Sequence, residues 1–234
     1  MEPKAQSVGS ITQFNENQGP HGLLTPDNCA LLLIDHQPQM AFATKSIDGQ
    51  LLINNVVGLA KAAKLFRVPT ILTTIAAETF SGNLWEQVQS VFPAEKPIDR
   101  TNMNAWEDER VVAAVKKTRR NKLVMAGLWT EVCVAFPAIS ALTEGYEVYV
   151  VADACGDVSE QAQDMSMQRI IQAGAVPLTW IQAACEWQRD WARTATYDGI
   201  MRIFSQHGGA YGLGIQYARQ VIPTPAEKGK RKAA

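Results

Sequence analysis

With 234 residues, 47% of them hydrophobic and 19% charged, the chain has the size and balance of one α/β domain with a sizeable core. A formal net charge of -1 without a dominant basic or acidic block excludes a nucleic-acid groove and an anionic-membrane surface, leaving small molecules as ligands. Cys29, Cys133, Cys155 and Cys185 show no CxxC spacing and no neighbouring histidine cluster, the usage of a reduced, cytoplasmic chain without structural zinc.

The first 22 residues are polar and carry no apolar core of a signal peptide, and no later run is long enough to span a bilayer, so neither export nor membrane insertion is expected. Residues 1–28 read as an arm over the surface or over a partner subunit. Cys29 to Ile34 is a continuous apolar run, the pattern of a strand buried on both faces, and it ends at Asp35. In open α/β sheets ligands gather outside the carboxyl ends of the strands, so Asp35 is a candidate site residue. The neighbouring His36 falls on the opposite side by strand alternation and reads as structural.

Apolar residues recur at helical spacing from Leu51 to Phe66, and Thr70 to Thr74 then forms the second strand of a βαβ unit. A short amphipathic helix surrounds Trp85 to Val88, and Phe92-Pro93 closes it. The polar stretch from Lys96 to Trp106 reads as a loop, followed by a helix over Asp108 to Lys117. Arg100, in that loop, is either a site residue or a solvated surface arginine.

Leu123 to Ala126 is another buried strand, Gly127 interrupts it, and a helix begins near Cys133. A cysteine at a strand-to-helix turn sits beside unpaired N–H groups and the positive end of a helix dipole, which favours thiolate; the alternative is one more small buried hydrophobe. Glu147 to Val151 forms the next strand and ends at Asp153. Ser159 caps a helix to Ala173, and Val176 to Trp180 is the last strand. Such alternation predicts a parallel sheet with helices on both faces. Seven aromatic residues from Trp180 to Tyr217 suggest either helices packed on another subunit or a core stripe. The basic end, with Lys228, Lys230, Arg231 and Lys232, reads as a solvated tail.

The ordered set of LLLIDHQ, a basic residue in the loop before the helix at Asp108, and AGLWTEVCVAFPAISALTEGYEVYVVADAC resembles the isochorismatase-like cysteine hydrolase family, in particular a subgroup of bacterial hydrolases of unassigned substrate. The likeness covers most of Ala30 to Phe204. It implies a hydrolase domain over 29–207 with a 208–234 tail. The implied fold is a three-layer α/β/α, Rossmann-like sheet of six parallel strands in the order 3-2-1-4-5-6. The implied trio is Asp35, Arg100 and Cys133, with arginine where the family usually has lysine. Arginine does not give up its proton, so it would hold a thiolate and orient Asp35 without shuttling protons.

The resemblance further implies a cis peptide between Trp129 and Thr130, with backbone N–H groups of Trp129, Thr130 and Cys133 turned toward a developing oxyanion. On this reading Cys133 attacks a small amide, a thioester forms, and Asp35 moves the protons. Arg100 and the helix end would together depress the thiol pKa. Asn104, Trp106 and Trp129 are candidate substrate-lining residues. The family's nicotinamidases bind a metal through an aspartate and histidines that have no counterparts here, so no metal or cofactor is expected and nicotinamide is disfavoured. Isochorismate is disfavoured too, since that branch dispenses with the cysteine. A homo-oligomer is expected. Two rivals stay open: a non-catalytic metabolite-binding or scaffold member, and a thiol redox protein in which Cys155 resolves an oxidised Cys133.

Overall fold

The structure is a computed structural model describing residues 21–222. Both the 1–20 part of the arm and the basic end from Pro223 lie outside the described residues.

Six parallel strands form one sheet in the order β3-β2-β1-β4-β5-β6. They are β1 (Cys29–Ile34), β2 (Thr70–Ile75), β3 (Ile98–Arg100), β4 (Lys122–Gly127), β5 (Glu147–Val151) and β6 (Val176–Leu178). The expected fold class and strand order are therefore present. β1 is central, paired with β2 on one side and β4 on the other, and all six of its residues are buried. Each Leu or Ile so buried contributes about 1.5–3 kcal/mol. That is why an unbroken apolar run, and not an alternating one, marks this strand.

The helices that flank the sheet are α1 (Pro38–Ala43), α2 (Gly49–Leu65), α3 (Glu86–Gln89), α4 (Glu109–Thr118), α5 (Ala135–Thr143), α6 (Glu160–Gln172), α7 (Trp180–Gln188), α8 (Thr194–His207) and α9 (Ala210–Val221). Side-chain caps fix several starts: Asp48 accepts from the N–H of Leu51, Asp108 from that of Arg110, and Ser159 from that of Ala162.

Four sequence readings need correction. The stretch from Lys96 to Trp106 is not wholly loop, because Ile98 to Arg100 pairs with β2 as the edge strand. β4 runs through Gly127 instead of stopping before it. A Cβ there would lie 2.5 Å from the Ile34 carbonyl oxygen, so only glycine lets β1 and β4 approach this closely. The last strand ends at Leu178, since the Thr179 side chain caps α7 by accepting from the N–H of Gln182. Residues 208–221 are not a plain tail: α9 packs on α8 and buries Ile215.

The aromatic third divides in two. Trp180, Trp187 and Phe204 are core residues, whereas Trp191, Tyr211 and Tyr217 are exposed. The amino ends of the strands are closed by residues 21–28. The Gly22 carbonyl accepts from the buried Lys122 Nζ at 2.6 Å and from Tyr149 Oη at 2.5 Å. The Leu24 N–H donates to Glu186, and its carbonyl accepts from Arg189. No described helix is long and apolar enough to cross a membrane.

Candidate active site

The carboxyl ends of the four neighbouring strands β3, β2, β1 and β4 bring the candidate residues together. Asp35 follows β1 directly in a left-handed conformation, φ 57°, which short polar residues tolerate better than branched ones. That turn ends strand alternation and puts a fully buried carboxylate against Arg100, the last residue of β3. Arg100 Nη1 donates to Asp35 Oδ1 and Nη2 to Oδ2, both at 2.8 Å, a two-pronged match of guanidinium to carboxylate. Nη1 also donates to the Thr74 carbonyl at 3.1 Å. The solvated-arginine alternative fails, since the Arg100 side chain has no exposure.

Thr73, on β2, donates its hydroxyl to Asp35 Oδ1 at 2.9 Å. The sequence reading missed Thr73 as part of this group, because its register opposite Ile34 on β1 emerges only when the strands pair.

Cys133 enters from the other side. After β4, residues Thr130 to Val134 make a single π-helical turn that leads into α5 and buries the thiol, which is 3% exposed. Its side chain comes under the influence of Asp35, which acts on it both as a negative charge and as an acceptor. Burial is the largest influence on this thiol, followed by the negative charge of Asp35 and its role as acceptor, and all three raise its pKa above the ordinary 9.0. Arg100 and a backbone contact at Trp129 pull the other way with less effect. The expected depressed pKa is thus corrected: Arg100 spends its charge on Asp35, and the resting sulfur is a thiol facing a carboxylate.

The expected oxyanion donors also need revision. The N–H of Thr130 donates to the Gly156 carbonyl at 3.2 Å and that of Glu131 to Asp157 Oδ2 at 2.8 Å. Those of Val132 and Cys133 turn back to the Trp129 carbonyl at 3.2 and 2.9 Å. Of this group, the Trp129 N–H alone has no oxygen acceptor among the described residues; it acts on the Cys133 sulfur. The cis peptide bond is Leu128-Trp129, one residue before the expected Trp129-Thr130, whose carbonyl instead caps the turn.

Among the nominated lining residues, Asn104 spends its amide inside the protein. Its Oδ1 accepts from the Trp106 N–H, and its Nδ2 donates to Glu107 and Ser140. Trp106 donates its indole N–H to Glu144 and packs edge-on to Tyr146. Both therefore tie the loop after β3 to α5 and its surroundings. Trp129 is half-buried, and its indole N–H donates to the Met40 carbonyl of α1 at 2.9 Å.

His36 is fully buried, its Nε2 3.1 Å from the Ala154 carbonyl and its ring against Trp85. Burial pulls its pKa down to about 4, so it is neutral. Cys155, the proposed resolving thiol, is buried and pushed up to about 12, mainly by burial, which leaves it without thiolate character. Among the described residues no group of three or more His, Cys, Asp or Glu side chains could hold a metal ion.

A doubly wound sheet with a buried Asp–Arg–Cys cluster at its carboxyl edge defines the class, and comparison supplies the family. Residues 29–182 match the isochorismatase domain, and the chain belongs to that family. It is 41% identical over 189 residues to "Probable hydrolase YcaC" of Escherichia coli, covering 80% of this chain and 90% of that protein. The crystal structure of the E. coli YcaC product, described as an octameric hydrolase of unknown specificity, superposes with a TM-score of 0.81 at 40% identity, over 87% of this chain and 100% of that one. YcaC from Pseudomonas aeruginosa, solved with hexane-2,5-diol and covalent acrylamide, gives a TM-score of 0.81 at 37% identity, over 84% of this chain and 97% of that one. The chain is accordingly a hydrolase of the isochorismatase family. The nicotinamidase PncA of Bacillus subtilis, at 14% identity and a TM-score of 0.58, shares the fold.

Proposed function

We propose that this hydrolase cleaves a small amide-type C–N bond through a thioester on Cys133, with Asp35 as the proton carrier and Arg100 as its anchor. The observation that carries the reading is a buried carboxylate held on both oxygens by Arg100 and close enough to the buried Cys133 thiol to act on its proton. Because the resting sulfur is protonated, its proton passes to Asp35 as the S–C bond forms, and the carbonyl oxygen takes up the negative charge. The Trp129 N–H, which bonds no backbone oxygen at rest, is the donor for that oxygen. Collapse breaks the C–N bond, and the proton on Asp35 goes to the leaving nitrogen. Water then attacks the thioester and gives a proton to Asp35. The C–S bond breaks, the acid departs, and sulfur recovers its proton from Asp35.

Arginine in place of the family's usual lysine suits this scheme. It is needed as a fixed charge on the carboxylate, and its guanidinium keeps its protons at any working pH. The covalent acrylamide on the Pseudomonas relative supports the presence of an alkylatable group in this kind of protein. The octameric E. coli relative supports a homo-oligomer here, and four free cysteines support a reducing compartment such as the cytoplasm.

The test is a screen of small amides, carbamoyl compounds and nitriles, read by intact mass on wild type and Cys133→Ala. An acyl adduct on the wild type, absent from the variant, is the expected result. Hydrolysis retained in Cys133→Ala would end the proposal.

A further inference from the structure

We propose that Gln37 is a positioning residue: it clasps a short flap, residues 76–82, whose closure seats Arg100 against Asp35. The inference deepens the reading above and rests on it for its link to catalysis. The flap leaves β2 at Ala76, which is left-handed at φ 46°, and returns at Gly82, φ 79°. Between these two points Ala77 to Ser81 form one self-contained turn, with the N–H groups of Thr79, Phe80 and Ser81 all donating to the Ala76 carbonyl. A compact turn with a left-handed residue at each end moves as a unit about those ends.

Gln37 is fully buried and grips both ends. Its Oε1 accepts from the Ile75 N–H at 2.8 Å, and its Nε2 donates to the carbonyls of Ile75 at 3.2 Å and Gly82 at 2.5 Å. The flap in turn grips the site, because the Ala76 N–H donates to the Arg100 carbonyl at 2.8 Å and the Ala77 N–H to Asp99 Oδ1 at 3.1 Å. Closure is incomplete in one respect: Ser81 Oγ and Arg100 Nε are both buried without a partner. Opening would return these atoms to water, which narrows the gap between the two states, and the three Gln37 bonds decide it. Phe80, 59% exposed on the outer side, gives the flap little apolar hold of its own.

The experiment combines amide hydrogen exchange with the pH profile of Cys133 alkylation by acrylamide, on wild type, Gln37→Ala and Ser81→Ala. In Gln37→Ala, exchange over 76–82 should quicken by about tenfold while β1 and β4 keep their protection. Its alkylation profile should move to higher pH by about half a unit, since a loosened Arg100 neutralises Asp35 less. Ser81→Ala, which removes one orphaned atom, should slow exchange in the flap and leave the profile in place. Unchanged flap exchange in Gln37→Ala, or faster flap exchange in Ser81→Ala, overturns the flap. Faster exchange with a fixed profile overturns the positioning role. If Gln37→Ala does not fold, the exchange rate in Ser81→Ala decides. Failure of wild-type Cys133 to alkylate would instead refute the nucleophile, and the exchange arms would still stand.

Discussion

Arg100 holds both carboxylate oxygens of Asp35 at 2.8 Å, and that same carboxylate acts on the buried Cys133 thiol. The carboxylate therefore stands between cation and sulfur in the electrostatic sense: it offsets the charge that would otherwise draw the thiol pKa down. This ordering gives predictions of opposite sign for binding a proton and for turning over a substrate.

Asp35→Asn should make Cys133 more reactive toward a simple alkylating agent at pH 7, while amide hydrolysis falls by about two orders of magnitude or more. The asparagine removes the charge and the acceptor that hold the thiol pKa up, and it leaves Arg100 unneutralised. Alkylation rates and turnover measured on one preparation check both halves. A parallel fall in both would contradict the ordering.

For wild type, alkylation of Cys133 should keep climbing with pH through 9.0 without a plateau, because burial and Asp35 raise the thiol above that ordinary value. A plateau near neutrality, read from the rate of mass gain, would mean a preformed thiolate.

Arg100→Ala should destabilise the fold by about 3–5 kcal/mol, since it leaves Asp35 buried and unpaired. Arg100→Lys keeps the charge but cannot repeat the two-pronged contact, so its loss should be smaller and its turnover still reduced. Urea unfolding of the two variants beside Cys133→Ala, which removes no charge, separates the ion pair from the nucleophile.

Acid stability should carry the mark of His36. Its folded pKa, about 4, lies below the unfolded 6.5, so between those values the unfolded chain binds the extra proton. Stability should therefore fall as pH drops through that window, by about 3 kcal/mol at most from this residue. The difference in unfolding free energy between pH 7 and pH 4.5 should shrink in His36→Phe. An identical slope in the variant would assign the acid sensitivity elsewhere.

The sequence carried the central strands well, because β1 and β4 are buried on both faces and wrote themselves as unbroken apolar runs. β3 was illegible by the same logic: it is three residues long, at the edge, and only Arg100 among them is buried. Asp35 was legible as a strand-end residue and Cys133 as one at a strand-to-helix turn. The state of the sulfur was not, since it depends on where the Arg100 guanidinium points once β3 has paired. Asn104 and Trp106 misled for a related reason: polar and aromatic residues in a loop beside a site look available until their hydrogen bonds are drawn.

The segment at the amino ends of the strands sets a boundary for handling the protein. Cleavage after Leu24 would withdraw the Gly22 oxygen from the buried Lys122 ammonium and leave Tyr149 Oη and the Glu147 carboxylate to hold it. Fusion tags and protease sites therefore belong ahead of His21, and a trim that reached Thr25 would also take the Leu24 N–H from Glu186 and the Leu24 carbonyl from Arg189.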